Sequence, residues 1–196
     1  MNEVIEHYDK LVDEGNDSVH DSAPLREYMD GWDGQAFIDK MCLNKTKSVL
    51  EIGVGTGRLA VRVAPKCKTF TGIDISPKTI ARAKENLPFD NTNLIYGDFL
   101  NYDFSEKFDV IFSSLTFMHF QNKSFVINKI ASLLKQNGFF ILSIDKNEDE
   151  YIDMGIRKIK IYPDSKNNTR QYILSSDLRI VEEFETKRAF CFVSTK

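Results

Sequence analysis

The chain has 196 residues, 42% of them hydrophobic, and a formal net charge of −3, a length and apolar share that suit one globular domain with a sizeable core. So small a negative charge gives no electrostatic reason to expect tight binding to a phosphate backbone, which disfavours nucleic acid as a partner. No stretch approaches the roughly 18 uncharged apolar residues of a membrane span, and the start MNEVIEHYDK carries acids where a secretory leader carries basic and then apolar residues, so no membrane partner and a cytoplasmic location are expected.

Taken in order, the first 44 residues are polar, helical in tendency and broken by Gly15 and Pro24; they are expected to pack as a helical cap over the open end of a sheet. From there short runs rich in Val, Ile and Phe alternate with amphipathic segments, the pattern of parallel strands joined by crossover helices. Ser48–Ile52 is the first strand, and Thr56 to Ala64, ended by Pro65, reads as its helix. Thr69 to Ile73 is the second strand; Ser76 and Pro77 then supply an N-cap and a first-turn proline for a helix carrying Ile80, Ala83 and Leu87 on one face, closed by Pro88. Strands follow at Asn93 to Tyr96 and Phe108 to Phe112, then a helix with Val126, Ile130, Leu133 and Leu134 at helical spacing, which Asn137 and Gly138 stop. The fifth strand, Phe139 to Ile144, is apolar almost throughout, as a strand covered on both faces should be. Beyond Asp145 an acidic connector leads to an alternating run, Ile156 to Tyr162, read as an edge strand or hairpin arm, and to a short helix at Asn167 to Ser175. Arg179 to Glu185 and Ala189 to Val193 are joined too tightly for a parallel crossover and should pair as an antiparallel hairpin. The expected class is α/β: an open sheet of five parallel strands plus that hairpin, with helices on both faces. One domain spans 1–196, divided into a cap (1–44), a ligand-binding core (45–145) and a segment completing the sheet (146–196).

Chemistry concentrates where the first strand hands over to its helix. In Gly53-Val54-Gly55-Thr56-Gly57 the glycines let backbone approach a ligand without a Cβ in the way. The spacing is G-x-G-x-G; the dinucleotide fingerprint would need glycine at 58, where the chain has Arg58. Asp74 ends the second strand about 20 residues on, where a carboxylate can accept both hydroxyls of a ribose; it could also be a helix N-terminal acid favoured by the macrodipole. Asp98 ends the third strand on the same carboxyl edge, in reach of an adenine amine. Three features on successive strand ends converge on the crevice where open α/β sheets bind ligands. The cysteines, Cys42, Cys67 and Cys191, are few and far apart and read as small buried hydrophobes. His7 and His20 have no ligand spacing, and no metal is expected.

The segments VLEIGVGTGRLA (49–60), TGIDIS (71–76), LIYGDF (94–99), FDVIFSSLTFMHF (108–120) and LLKQNGFFILSID (133–145) resemble the ordered motifs of class I S-adenosylmethionine-dependent methyltransferases, over roughly positions 45 to 145. The resemblance implies a Rossmann-like fold, S-adenosyl-L-methionine as cofactor and methyl transfer as activity. It implies that Gly53 and Gly55 border the methionine part, that Gly57 belongs to the same cofactor site, that Asp74 holds the ribose and Asp98 the adenine amine, and that Ile75 and Phe99 flank the ring. The backbone around Ser113 and Ser114 would receive the methionine amino group. Glu51 matches an acidic position that orients the loop in similar enzymes, and could equally cap neighbouring backbone. Trp32 lies in the stretch that closes over the cofactor in such enzymes, or anchors the packing of its own helix.

Transfer from a sulfonium is an in-line displacement with a neutral leaving group, so alignment and exclusion of water matter more than acid–base strength. His119 is the residue of the region with a useful pKa, a base for an acceptor hydroxyl, amine or thiol near neutral pH, or else an imidazole supporting the pocket wall. Ser113-Ser114-Leu115-Thr116 is not the Asn/Asp-Pro-Pro-aromatic motif of enzymes that methylate base amines, and no basic run with interleaved aromatics is present. A small-molecule acceptor is therefore expected. The alternatives are a nucleic-acid or protein methyltransferase, a non-catalytic S-adenosylmethionine-binding partner subunit, and a nicotinamide-dependent oxidoreductase.

Overall fold

The computed structural model describes residues 2–155 and 157–196. Three helices precede the sheet: α1 (Asn2–Asp13), α2 (Ala23–Met29) and α3 (Gly34–Asp39). The parallel strands are β1 (Ser48–Ile52), β2 (Thr69–Asp74), β3 (Thr92–Tyr96), β4 (Phe108–Ser114) and β5 (Leu134–Asp145). Between them run α4 (Ala60–Val63), α5 (Pro77–Asn86) and α6 (Lys123–Leu133). A separate antiparallel pair, β6 (Tyr151–Asp153) and β7 (Lys158–Lys160), is followed by α7 (Lys166–Leu174), β8 (Arg179–Glu185) and β9 (Ala189–Thr195). The main sheet has the order β3-β2-β1-β4-β5-β9-β8, with β9 antiparallel to both β5 and β8. The expected Rossmann-like α/β sheet of five parallel strands and an added hairpin is the observed architecture.

Period-two alternation divides the strands between two cores. Val49, Val110, Phe112 and Ile141 point to the face covered by α3, α4 and α5, with Phe37, Ile38, Val63 and Ile80. Leu50, Ile52, Ile111 and Phe140 point to the face covered by α6 and α7, with Val126, Ile127, Ile130 and Ile173. Strand order reverses between β1 and β4, and at such a switch point the loops leaving neighbouring strands diverge and open a crevice at the carboxyl edge.

Local signals account for several boundaries. Ser76 caps α5, its Oγ accepting from Thr79 N at 3.1 Å, and Ser165 caps α7 by accepting from Asn168 N at 3.1 Å. Other expectations need correcting. The helix expected from Thr56 begins only at Ala60; turns fill 55–59, and Pro65 continues the segment as a short 3-10 turn, Ala64–Lys66. The helix expected to run to Asn137 ends at Leu133, because Leu134 already pairs with Phe108; Asn137, at φ +60°, lies in the register shift of β5. Of the alternating run beginning at Ile156, that residue lies outside the described residues, and only Lys158–Lys160 is strand. Cys67 and Cys191 are buried, but Cys42 is exposed. Among the described residues no helix is long and apolar enough to cross a membrane, and no group of three or more His, Cys, Asp or Glu side chains is placed to hold a metal.

Phe112 tests where the core is concentrated: it is fully buried in β4 and meets Phe37 edge-on at 6.3 Å. Phe112→Ala should lower unfolding free energy by about 3–5 kcal/mol in urea titrations, and a loss under about 1 kcal/mol would place the core elsewhere.

Candidate active site

At the carboxyl edge of β1, β2, β3 and β4 lies a cavity of about 850 Å³. Glu51, Gly53, Gly55, Asp74, Ile75, Asp98, Phe99, Ser114, Trp32 and His119 all line it. Gly57 does not. A Cβ on Gly57 would come within 3.2 Å of Leu87 Cδ1, so this glycine lets the turn pack on the end of α5.

The other two glycines also divide their tasks. A Cβ on Gly53 would lie 2.0 Å from Thr116 Oγ1, so its bareness brings the β1 and β4 loops together; only Gly55 faces open space. The loop's N–H groups are engaged within the chain. Gly53 N and Val54 N donate to Ile73 O at 2.9 and 3.1 Å, Gly57 N donates to Val54 O at 3.0 Å, and Gly55 N donates to Asp74 Oδ2 at 2.9 Å. A pyrophosphate cradle needs such donors free, which weighs against a dinucleotide ligand.

Asp74 therefore serves the protein before any ligand. Its Oδ1 accepts from Ser76 N at 3.0 Å and Thr79 Oγ1 at 3.2 Å, and its Oδ2 from Gly55 N, which takes three of the roughly four acceptor positions of a carboxylate. Burial raises its pKa while these bonds pull it down. Little acceptor capacity is left over for the ribose hydroxyls expected there. Asp98 is likewise engaged in its own turn, accepting from Leu100 N at 3.0 Å and from Asn101 Nδ2. Phe99 is buried against Phe104 and Phe120, at 6.0 and 6.2 Å between centroids.

A buried polar cluster, unexpected from the sequence, supports the opposite wall. The Asp33 carboxylate accepts from both terminal nitrogens of Arg58, from Ser114 Oγ at 2.7 Å and from Gly34 N. Arg58 had entered only as the residue that breaks a dinucleotide fingerprint; it anchors the loop to the start of α3. Leu115, directly after Ser114 at the end of β4, has φ +55°, a left-handed conformation costly for a bulky side chain and held here by its surroundings. Neither feature leaves a local mark, since Asp33 and Arg58 are 25 positions apart.

Among the described residues, three buried polar atoms on residues of this cavity have no hydrogen-bond partner: Glu51 Oε2, Trp32 Nε1 and His119 Nδ1. Burial, with Asp33 and Asp74 nearby, raises the Glu51 pKa well above the ordinary carboxylate value, and Arg58 opposes the shift. An unsatisfied buried group costs about 1–3 kcal/mol, and a ligand that pairs with it recovers that cost. An ammonium suits Glu51, and an acceptor atom suits the Trp32 N–H. Trp32 is steadied from behind, its ring 5.3 Å from Tyr28 and 4.9 Å from the Arg188 guanidinium. His119 departs from the near-neutral base expected: burial, then the charges of His7 and Lys123, lower its pKa to about 4.

A family model described as a methyltransferase domain matches residues 43–185. The chain belongs to the class I S-adenosylmethionine-dependent methyltransferase family. The chain is 31% identical over 137 residues to malonyl-(acyl-carrier protein) O-methyltransferase 2 of Ilyobacter polytropus, covering 68% of this chain and 52% of that one. It is 30% identical over 156 residues to the ubiquinone biosynthesis O-methyltransferase of Glaesserella parasuis, covering 72% and 66%. The chain thus spans from about half to about two thirds of the length of these relatives. Among solved structures, the N-methyltransferase NodS of Bradyrhizobium japonicum, in complex with S-adenosyl-L-homocysteine, shares the fold with a TM-score of 0.75 at 18% identity, covering 99% of this chain and 98% of that one.

The raised Glu51 pKa has a stability consequence. The folded chain retains a proton that the unfolded chain releases near pH ~4.3, so its stability is full below that pH and falls as pH rises through the folded pKa. Glu51→Gln should therefore raise the melting temperature of the free protein, and by more at about pH 8 than at about pH 5. Scanning calorimetry reads this directly; an equal change at both values would exclude the carboxyl proton as its source.

Proposed function

We propose that this methyltransferase transfers a methyl group from S-adenosyl-L-methionine to a small-molecule acceptor. The observation that carries the reading is the unpartnered Glu51 Oε2 on the wall of the 850 Å³ cavity, beside the glycine loop. Small-molecule sites run to roughly 300–1,000 Å³, so this volume suits a cofactor with a small acceptor beside it. Similarity to O-methyltransferases named for malonyl-(acyl-carrier protein) and for ubiquinone biosynthesis supports an acceptor other than a nucleic acid.

The chain's residues take the following parts. Glu51 offers its carboxylate to the cofactor's amino group, and Trp32 Nε1 offers a donor on the same side. Asp74 accepts from one ribose hydroxyl through its remaining acceptor position and accepts from the second only if Gly55 N–H gives way. Asp98 accepts from the adenine amine, with Ile75 and Phe99 against the ring. Gly53 and Gly55 keep this edge free of Cβ atoms, whereas Gly57 acts through packing. When bound, the cofactor supplies an electrophilic methyl group on a sulfonium. The protein aligns the acceptor with it and excludes water: Val4 and Tyr8 of α1 close one side, Met118, His119 and Phe120 the second, and Ile159, Lys160 and Tyr162 the third.

Titration calorimetry with S-adenosyl-L-homocysteine tests the reading. The wild-type chain should bind it, and Asp74→Asn should weaken binding about tenfold to a hundredfold, the equivalent of roughly 1–3 kcal/mol. No heat of binding to the wild-type chain would refute the proposal. Gly53→Ala, which drives a methyl into Thr116 at φ +78°, should reduce affinity more than Gly55→Ala, where space is open; the reverse order would show that the ligand itself fills the open space at Gly55 and that the Thr116 contact is relieved at little cost.

A further inference from the structure

Tyr8 and His119 lie 111 positions apart and meet at the cavity wall, with Tyr8 Oη 2.8 Å from His119 Nε2 and the rings edge to face at 5.5 Å. The histidine is held firmly. It ends a short 3-10 turn, Phe117–His119, in which His119 N donates to Thr116 O at 3.0 Å. Lys123 Nζ fixes the start of that turn, donating to Phe117 O at 2.6 Å, and Met118 O accepts from Tyr162 N at 2.8 Å. The tyrosine is held as well: along α1, Asp9 accepts from Ser76 Oγ at 2.6 Å and His7 Nδ1 accepts from Arg157 Nε at 3.2 Å.

We propose that Tyr8 is a positioning residue whose hydroxyl donates to His119 Nε2, fixing the imidazole as the Nδ1–H tautomer, so that His119 presents a hydrogen-bond donor and not a base to the cavity. A neutral imidazole carries one hydrogen, and a nitrogen that accepts from Tyr8 leaves that hydrogen on the other. Tyr8 keeps its proton, because burial and the nearby Asp74 carboxylate push its pKa upward. Around His119 stand His7 and Tyr8 from α1 and Lys123 from α6, which is ion-paired with Asp164; Glu3, Asp145 and Lys160 line the same cavity. Neither the lysine nor a neutral tyrosine favours a second proton on the imidazole. Nδ1 is buried and has no hydrogen-bond partner among the described residues, so its hydrogen is left for a ligand oxygen or lone pair that a small shift of the surrounding wall lets in.

The tautomer stands without the methyl-transfer reading; its consequence for the acceptor rests on that reading. With no imidazole lone pair to take a proton, His119 favours an acceptor that arrives with its nucleophile already free: a carboxylate, an acidic phenol or enol, or an amine in its free-base form. An ordinary alcohol, whose proton would have to leave during transfer, gets no help from His119.

Long-range proton–nitrogen spectra of the ¹⁵N-labelled full chain test this without any turnover, with His119→Gln identifying the signals. Expected is a protonated-type Nδ1 and an unprotonated-type Nε2, unchanged from about pH 8 down to about pH 6. A protonated Nε2, an average of both tautomers, or titration near the ordinary histidine value would overturn the proposal. In Tyr8→Phe, checked for folding by its melting curve, the two tautomers should mix and the titration midpoint should move upward, since a bond that favours the neutral ring is gone; an unchanged spectrum would show that Tyr8 does not set the tautomer. If the variant does not fold, the wild-type spectrum still decides. Once an acceptor is known, the pH profile of the wild-type chain should lack a limb from His119, and loss of cofactor binding would count against the function without touching the tautomer.

Discussion

A buried carboxylate with no exposure to solvent, Asp33, is the constraint on which the rest of the site depends. Removing such a charge from water costs several kcal/mol unless it is paired and fully hydrogen-bonded. Arg58 from the glycine loop, Ser114 from the end of β4 and the amide of Gly34 at the start of α3 together meet that demand. The three segments cannot separate without stranding a charge, so the loop, the strand end and the cap are fixed in one arrangement. Glu51 lies beside this cluster; its own burial is the main reason its carboxyl prefers to hold a proton, and Arg58 opposes the shift.

The core layout could be read from the sequence because strand and helix periods are written residue by residue. Val49 against Leu50 and Ile111 against Phe112 assign opposite faces before any coordinates are seen, and Ser76 with Pro77 marks where α5 begins. Boundaries set by pairing were harder. Nothing in Leu134 to Gly138 announces that the strand starts where helical spacing still holds; the partner Phe108 decides it. The turn at 55–59 is similar, because demands from Asp74 and Leu87 override the local preference of Thr56 to Leu59 for helix.

The site was legible where function is carried by a strand end and illegible where it is carried by a tertiary meeting. Asp74 and Asp98 could be placed on the crevice from their spacing alone, but not the fact that most of their acceptor capacity is spent on their own loops. The glycine triplet looked like one device and proved to be three: room for Thr116, open space toward the cavity, and room for Leu87. The pairings Asp33 with Arg58 and Tyr8 with His119 join stretches whose local sequences carry no sign of each other.

The walls of the cavity come from different parts of the chain. The glycine loop, Asp74 and Asp98 belong to the central strands, whereas Glu3, Val4 and Tyr8 come from the first helix and Ile159, Lys160 and Tyr162 from the small hairpin and the residues after it. Helix and hairpin are fastened to each other through Arg157, which grips Glu14 and His7, and the helix is tied to the start of α5 through Asp9 with Ser76 and Asp13 with Lys78. A chain built this way can replace its outer wall piece by piece while the inner one keeps its shape. Diversification can then proceed at the periphery under a constant chemistry, and two such proteins alike across their central strands can serve unlike acceptors.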